Sequence, residues 1–151
     1  MTYTASEARK ELLGEVAGAI EELSRAIAAI GEAYDAADDQ MADRIEAELF
    51  KPLQGAYGSA TRTYAGFASR SGLPSRKFAP APLPAPHGVR ELVEAAVDDT
   101  AHAEQILADL QDSMAPVEVG DPDLRAGLAD VRRRLGELPG QAERLLSVLG
   151  R

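Results

Sequence analysis

The chain has 151 residues, 25 acidic and 16 basic side chains, a formal net charge of −9, and neither Cys, Trp nor Asn. That length fits one domain with an ordinary core, and the absence of Cys excludes disulfides, thiolate zinc sites and Cys nucleophiles. The charge excludes a surface that coats nucleic acid or anionic lipid as a whole, though not a local basic patch.

Ala occurs 28 times and Leu 17 times against seven aromatics. This is the composition of a helical bundle, since Ala, Leu, Glu and Arg all favour helix. The N-terminal MTYTASEARKELL mixes acids and bases without an apolar signal core. No stretch approaches the ~20 apolar residues of a membrane span, so a cytoplasmic protein is expected.

The first helix is expected from about Ala5 to Tyr34, with a Thr4–Glu7 capping box and a stripe of Leu12, Val16, Ile20, Leu23, Ile27, Ile30 and Tyr34. A second is expected from about Gln40 to Ser71, carrying Met41, Ile45, Leu49, Leu53, Ala56, Ala60, Tyr64 and Phe67. Pro52 lies inside it and predicts a kink, because it lacks an amide donor and its ring crowds the preceding turn. The intervening DAADDQ holds neither Gly nor Pro; a turn capped by Asp38 or Asp39 is favoured over one continuous rod from Ala5 to Ser71.

Composition then changes, and Gly72 to Gly88 hold five of the nine prolines. Residues 73–87 form a Pro-rich linker between two helical halves. Fifteen residues of polyproline conformation reach ~45 Å, about the length of a 30-residue helix. Such a linker either spans the bundle and makes the helices on its two sides parallel, or stays slack. The third helix is expected from Val89 to Met114, with Val89, Val93, Ala96, Thr100, Ala103, Leu107, Leu110 and Met114 in heptad register. The fourth opens at Asp121-Pro122, an N-cap residue followed by Pro at the first helical position. Its stripe is Leu124, Leu128, Val131, Leu135, Leu138, Ala142, Leu145 and Leu149, with an interruption expected at Pro139-Gly140. The short connection Ala115–Gly120 makes these last two helices an antiparallel hairpin.

The fold class is therefore all-α: a four-helix bundle or two helical hairpins, with association as a coiled-coil-like dimer compatible with either. Ala-rich stripes such as Ala56 with Ala60 allow close approach but bury little area each, which favours self-association.

Charge is segregated along the chain. Residues 1–48 hold twelve acids and four bases, residues 49–90 no acid and six bases, and residues 91–120 eight acids and no base. The acid-free window also carries Phe50, Tyr57, Tyr64, Phe67 and Phe78. Lys51, Tyr57, Arg62, Arg70, Arg76 and Lys77 are its candidate anion- or partner-binding residues, for a phosphate group, single-stranded nucleic acid or an acidic protein. The plainer reading has this positive segment lying between the two acidic helices and neutralising them.

His87 and His102 are the only histidines. Asp99 and His102 have the i, i+3 spacing of carboxylate–His pairs in di-iron bundles. Only one such pair exists, and His102 falls ~120° from its stripe centre, so it points sideways or outward rather than into the core. Arg132, Arg133 and Arg134 with Asp130 and Glu137 read as a solvated ion-pair face. No catalytic, cofactor or metal residue is assigned. The expected function is a non-enzymatic helical interaction or scaffold module, partnered by a second copy or another helical protein. The alternatives are an anion-binding adaptor using 49–90, on nucleic acid, phosphate or a membrane surface, and then a carboxylate-based metal protein or enzyme.

Overall fold

A computed structural model describes residues 5–85 and 87–149, and among these there is no strand. The helices are α1 (Ala5–Ala36), α2 (Asp39–Ile45), α3 (Lys51–Arg70), α4 (Val89–Asp112), the short α5 (Ala115–Glu118), α6 (Pro122–Gly136) and α7 (Leu138–Leu149). A π-helical turn, Glu46–Phe50, joins α2 to α3, so residues 39–70 form one bent rod. Among the described residues, no helix is long and apolar enough to cross a membrane.

The sequence signals act where they stand. The Asp38 carboxylate accepts the Met41 amide at 2.8 Å and caps α2, ending the first helix in a turn. Asp121 does the same for α6, accepting the Leu124 amide at 2.9 Å with Pro122 behind it. The Thr4 half of the Thr4–Glu7 capping box lies outside the described residues. Pro52 leaves the carbonyl of Glu48 without a helical donor, and its ring would crowd that carbonyl in a regular turn. The chain meets this by widening: the Lys51 amide reaches back to the Glu46 carbonyl, one residue further than in an α-helix. The fourth helix breaks at Glu137, which leaves Pro139 in the tolerated first turn of α7.

One boundary differs from the expectation. The third helix stops at Asp112 rather than Met114, and Met114 takes a left-handed backbone, φ 68°, with its side chain exposed rather than in the stripe. Ser113 draws the chain out of the helix by donating to the Leu110 carbonyl at 2.6 Å.

The strap of residues 71–88 sets the topology. Gly72 (φ 68°) ends α3 with the Leu73 amide bonded to the Ala68 carbonyl and its own amide to Ser69, a Schellman closure. From there the strap climbs along α1. Arg76 meets Glu21 at 2.6 Å, the Ala81 amide donates to the buried Ser24 hydroxyl at 3.0 Å, and Leu83 sits beside Gly31 and Tyr34. The strap thus spans the bundle, and α3 and α4 run parallel. Arg70 ties the end of α3 to the start of α6, and Arg90 ties the start of α4 to the Leu146 carbonyl near the end of α7. Helix α1 packs mainly on α4 and α3 mainly on α6, with α1–α3 and α4–α6 contacts closing the square. Every neighbour is antiparallel, and the two parallel pairs lie on diagonals.

The core contains the expected stripes. Ile20, Leu23, Ile45, Leu53, Val93, Leu107, Leu124, Leu128 and Leu145 are fully buried. Ile27 is half-buried and Tyr34 is exposed, because the stripe there leaves the core for a surface groove. Helix α1 also buries residues on both flanks of this stripe, Leu13 and Ala17 on one side and Ala26 and Ala33 on the other, since α3, α4 and the strap all lie on it. Buried Thr100 donates back to the Ala96 carbonyl at 2.8 Å, as its place in the register requires.

Helices α3 and α6 meet closely at Gly127, where an added Cβ would stand 3.0 Å from Thr63 Cβ and nearer still to its Oγ1 and Cγ2. Gly127→Ala is expected to destabilise the fold by about 2 kcal/mol through overpacking. Gly14, exposed on α1 with nothing within 4 Å of an added Cβ, should gain about 0.5–1 kcal/mol on conversion to Ala. Thermal melts of the two variants should move in opposite directions; an unshifted Gly127→Ala would mean the two helices do not touch there.

Candidate functional site

The six residues singled out in 49–90 do not gather at one place. Lys51 and Arg62 are exposed on α3, about 16 Å apart at 1.5 Å per residue. Arg70 forms a bidentate pair with Asp121, 2.8 and 2.9 Å, which holds the Asp121 carboxyl below its usual range and raises the guanidinium. Arg76 is committed to Glu21 and also lies 4.8 Å over the Phe78 ring, which in turn meets Tyr64 edge-on at 5.2 Å. Lys77 is exposed on the strap and Tyr57 is half-buried against the core. Among the described residues, Lys51, Arg62 and Lys77 carry no ion pair.

The plainer reading of this window needs correction. Basic α3 does not lie between the two acidic helices, because it is diagonal to α4. Of the window's bases, only Arg90 reaches an acid of 91–120 among the described residues, Glu94 at 3.7 Å, while Arg76 serves α1 and Arg70 serves α6. Arg132 does more than solvate a helix face: it bridges from α6 to Glu104 (2.9 Å) and Gln111 (2.6 Å) on α4. Asp130 collects Arg133, Arg134 and the buried Ser59 hydroxyl of α3. Ser59 and the two guanidinium groups push its carboxyl down to about 2.

What the fold does assemble is a groove where the strap lies beside α1 and α3. Two adjoining depressions of about 500 and 450 Å³ share Ile27, Ala28 and Leu83. Aromatic side chains supply much of the wall: Tyr34 and Phe50 in one, Tyr57 and Phe78 in the other. The small residues Ala28 and Gly31 leave the α1 side of the groove hollow. Leu83 is 73% exposed and Tyr34 40%, so an apolar surface is open to solvent. Glu32, Asp35 and Glu46 line the same depression as Tyr34, with no ion pair among the described residues. The volumes are those of ligand-binding clefts.

A second cluster lies across the α1–α4 interface. Glu22 of α1 with Asp99 and His102 of α4 place one ligand atom each within 4.8 Å of one another. His102 Nδ1 is 3.9 Å from Glu22 Oε2, while Arg25 donates to the other oxygen, Oε1, at 2.5 Å. Burial first, and then the negative charge of Glu22, raise the Asp99 carboxyl above its usual range, against the pull of Arg25 and His102. His102 points outward as its register predicts, with 68% of its side chain exposed. Glu22 could not be found from the α4 spacing. The one available signal was its place on α1 beside Leu23, which becomes informative only once α1 is known to pack on α4.

The chain matches no protein-family model, no curated protein and no solved structure.

These carboxyl shifts have opposite consequences for stability. Asp130 and Asp121 bind protons more weakly in the folded state, so their contribution is complete above about pH 4 and is lost as pH falls toward 2. Asp99 binds its proton more tightly when folded, so its ionisation costs stability at neutral pH. In metal-free buffer at pH 7, Asp99→Asn should stabilise by about 0.5 kcal/mol after solvent screening. Asp130→Ala should destabilise by about 1–2 kcal/mol, because it strips the buried Ser59 hydroxyl of its acceptor. Melting curves from pH 2 to 7 check both signs.

Proposed function

We propose that the protein is a non-enzymatic interaction module that docks a basic amphipathic helix of a partner protein in the groove between α1, α3 and the strap. The observation that carries this reading is the pairing of an open apolar wall, Tyr34, Phe50 and Leu83, with the carboxylates Glu32, Asp35 and Glu46 along the same depression, which carry no ion pair among the described residues. An apolar helix face fits such a groove, and Lys or Arg on its flanks meet the acidic rim. The net charge of −9 favours approach of a cationic partner over long range.

Self-association through shared heptads draws less support. The stripes a coiled-coil dimer would share lie inside one chain's core, from Leu12 and Val16 on α1 to Leu135 and Leu145 on α6 and α7. Anion binding by 49–90 is left with Lys51, Arg62 and Lys77, spread over a helix and the strap.

The test uses a fluorescent Lys/Leu helix of 3.6-residue periodicity, its Glu/Leu counterpart and a scrambled Lys/Leu peptide. The periodic cationic peptide should bind with micromolar affinity, and Tyr34→Ser with Leu83→Ser should weaken it at least about tenfold, a loss of about 1.4 kcal/mol. Both residues are exposed, so the fold survives the change. Equal binding of the scrambled peptide, or binding indifferent to the two substitutions, would sink the proposal in favour of diffuse charge attraction.

A further inference from the structure

We propose that Glu22, Asp99 and His102 form a site for a divalent transition-metal ion of the zinc type, clipping α1 to α4 with at least one coordination position open to solvent. This site stands apart from the groove and does not depend on the docking reading.

Three observations converge on it. The first is the donor set. Two carboxylates and an imidazole suit Zn2+, Fe2+, Ni2+ or Cu2+ better than Mg2+ or Ca2+, which take oxygen ligands. Asp99 and His102 reach the ion from adjacent turns of α4, and Glu22 reaches it from the helix that α4 contacts most extensively. The second is distance. Ligand atoms within 4.8 Å of one another need to close by up to about 1.4 Å to reach the ~3.4 Å separation of a tetrahedral ion bound at about 2.1 Å. Rotation of the exposed His102 side chain supplies much of such an adjustment without moving the backbone.

The third is orientation and charge. Arg25 takes Oε1 of Glu22 and leaves Oε2 directed at His102, so the carboxylate is held by a neighbour in the manner of a metal ligand's supporting contact. Asp99 meanwhile lies half-buried, with its carboxylate facing that of Glu22 across the α1–α4 interface in a like-charge repulsion. A bound dication relieves it. Three protein ligands, with His102 at the solvent edge, leave room for a water molecule at the fourth position.

The full chain, stripped with chelator, is titrated at pH 7.5 with Zn2+ against a colorimetric competitor, and separately with Co2+ followed by visible absorption. One equivalent is expected to bind, with a cobalt ligand-field band and a rise in melting temperature. His102→Ala and Asp99→Asn should each lower Zn2+ affinity at least about tenfold, whereas Asp98→Asn, on the exposed side of α4, should not. Asp99→Asn is expected to stabilise the metal-free protein, so a loss of binding there is not a loss of fold. Absence of saturable one-equivalent binding, equal effects of His102→Ala and Asp98→Asn, or preference for Mg2+ over Zn2+ would each overturn the proposal.

Discussion

Residues 71–88 have to carry the chain from the end of α3 back past the full length of the bundle before α4 can begin, and the arrangement of the other helices depends on that return path. Without it, a chain of four amphipathic helices with short connections would stack up-down-up-down. Prolines keep the strap extended, so it covers the distance in few residues and loses little entropy on ordering. Its attachments are modest and spaced: Arg76 on Glu21, Phe78 against Tyr64, the Ala81 amide on Ser24. Ser24 is among the few polar residues buried in the structure, and the strap satisfies it. Because the strap lies over α1 and α3, it also makes one wall of the groove, and because it delivers α4 to the far side of α1, it brings Asp99 and His102 to Glu22.

The Ala content follows from the same geometry. Helix α1 is covered by α3, α4 and the strap at once, so it buries well over half of its circumference. Large side chains all round would hold its neighbours too far away for the loops that exist. Ala17, Ala26, Ala29 and Ala33 let them approach, while Ile20, Leu23 and Ile30 supply the apolar area. Gly127 against Thr63 is the extreme case on the other side of the bundle. A helix surface this smooth buries little per residue, and the cross-helix polar contacts Arg70–Asp121, Ser59–Asp130 and Arg132–Glu104 fix the register that interlocking side chains would otherwise fix.

Local structure was legible in the sequence because its causes are local. The stripes, the Asp38 and Asp121 caps and the disruption at Pro52 depend on residues within one or two turns. Met114 was misplaced because it continues the apolar spacing; what stops the helix is the Ser113 side chain turning back on Leu110, a signal weaker than a Gly or Pro. The π turn, not a simple kink, resolves Pro52, and that choice depends on how Leu49 and Leu53 must both reach the core. Glu22 and the groove were invisible for a different reason: each is made by elements far apart in sequence, and periodicity carries no information about which helix a given face will meet.

Charge segregation shows the same limit most sharply. Read along the chain, the basic window looks placed to neutralise the acidic blocks on either side. In space, the two acidic blocks meet directly, since α1 and α4 form the largest interface and α3 stands on the diagonal. The relief available is uneven. Arg132 reaches Glu104 near the lower half of α4, and Arg90 serves Glu94 at the top. Around Glu22 and Asp99, in the middle, the only cation close by among the described residues is Arg25, which donates to one oxygen of Glu22. Burial is the first cause of the raised proton affinity of Asp99, and the facing carboxylate of Glu22 adds to it. A metal ion bound at this cluster would engage Glu22, Asp99 and His102 at once and supply the positive charge that the facing carboxylates lack.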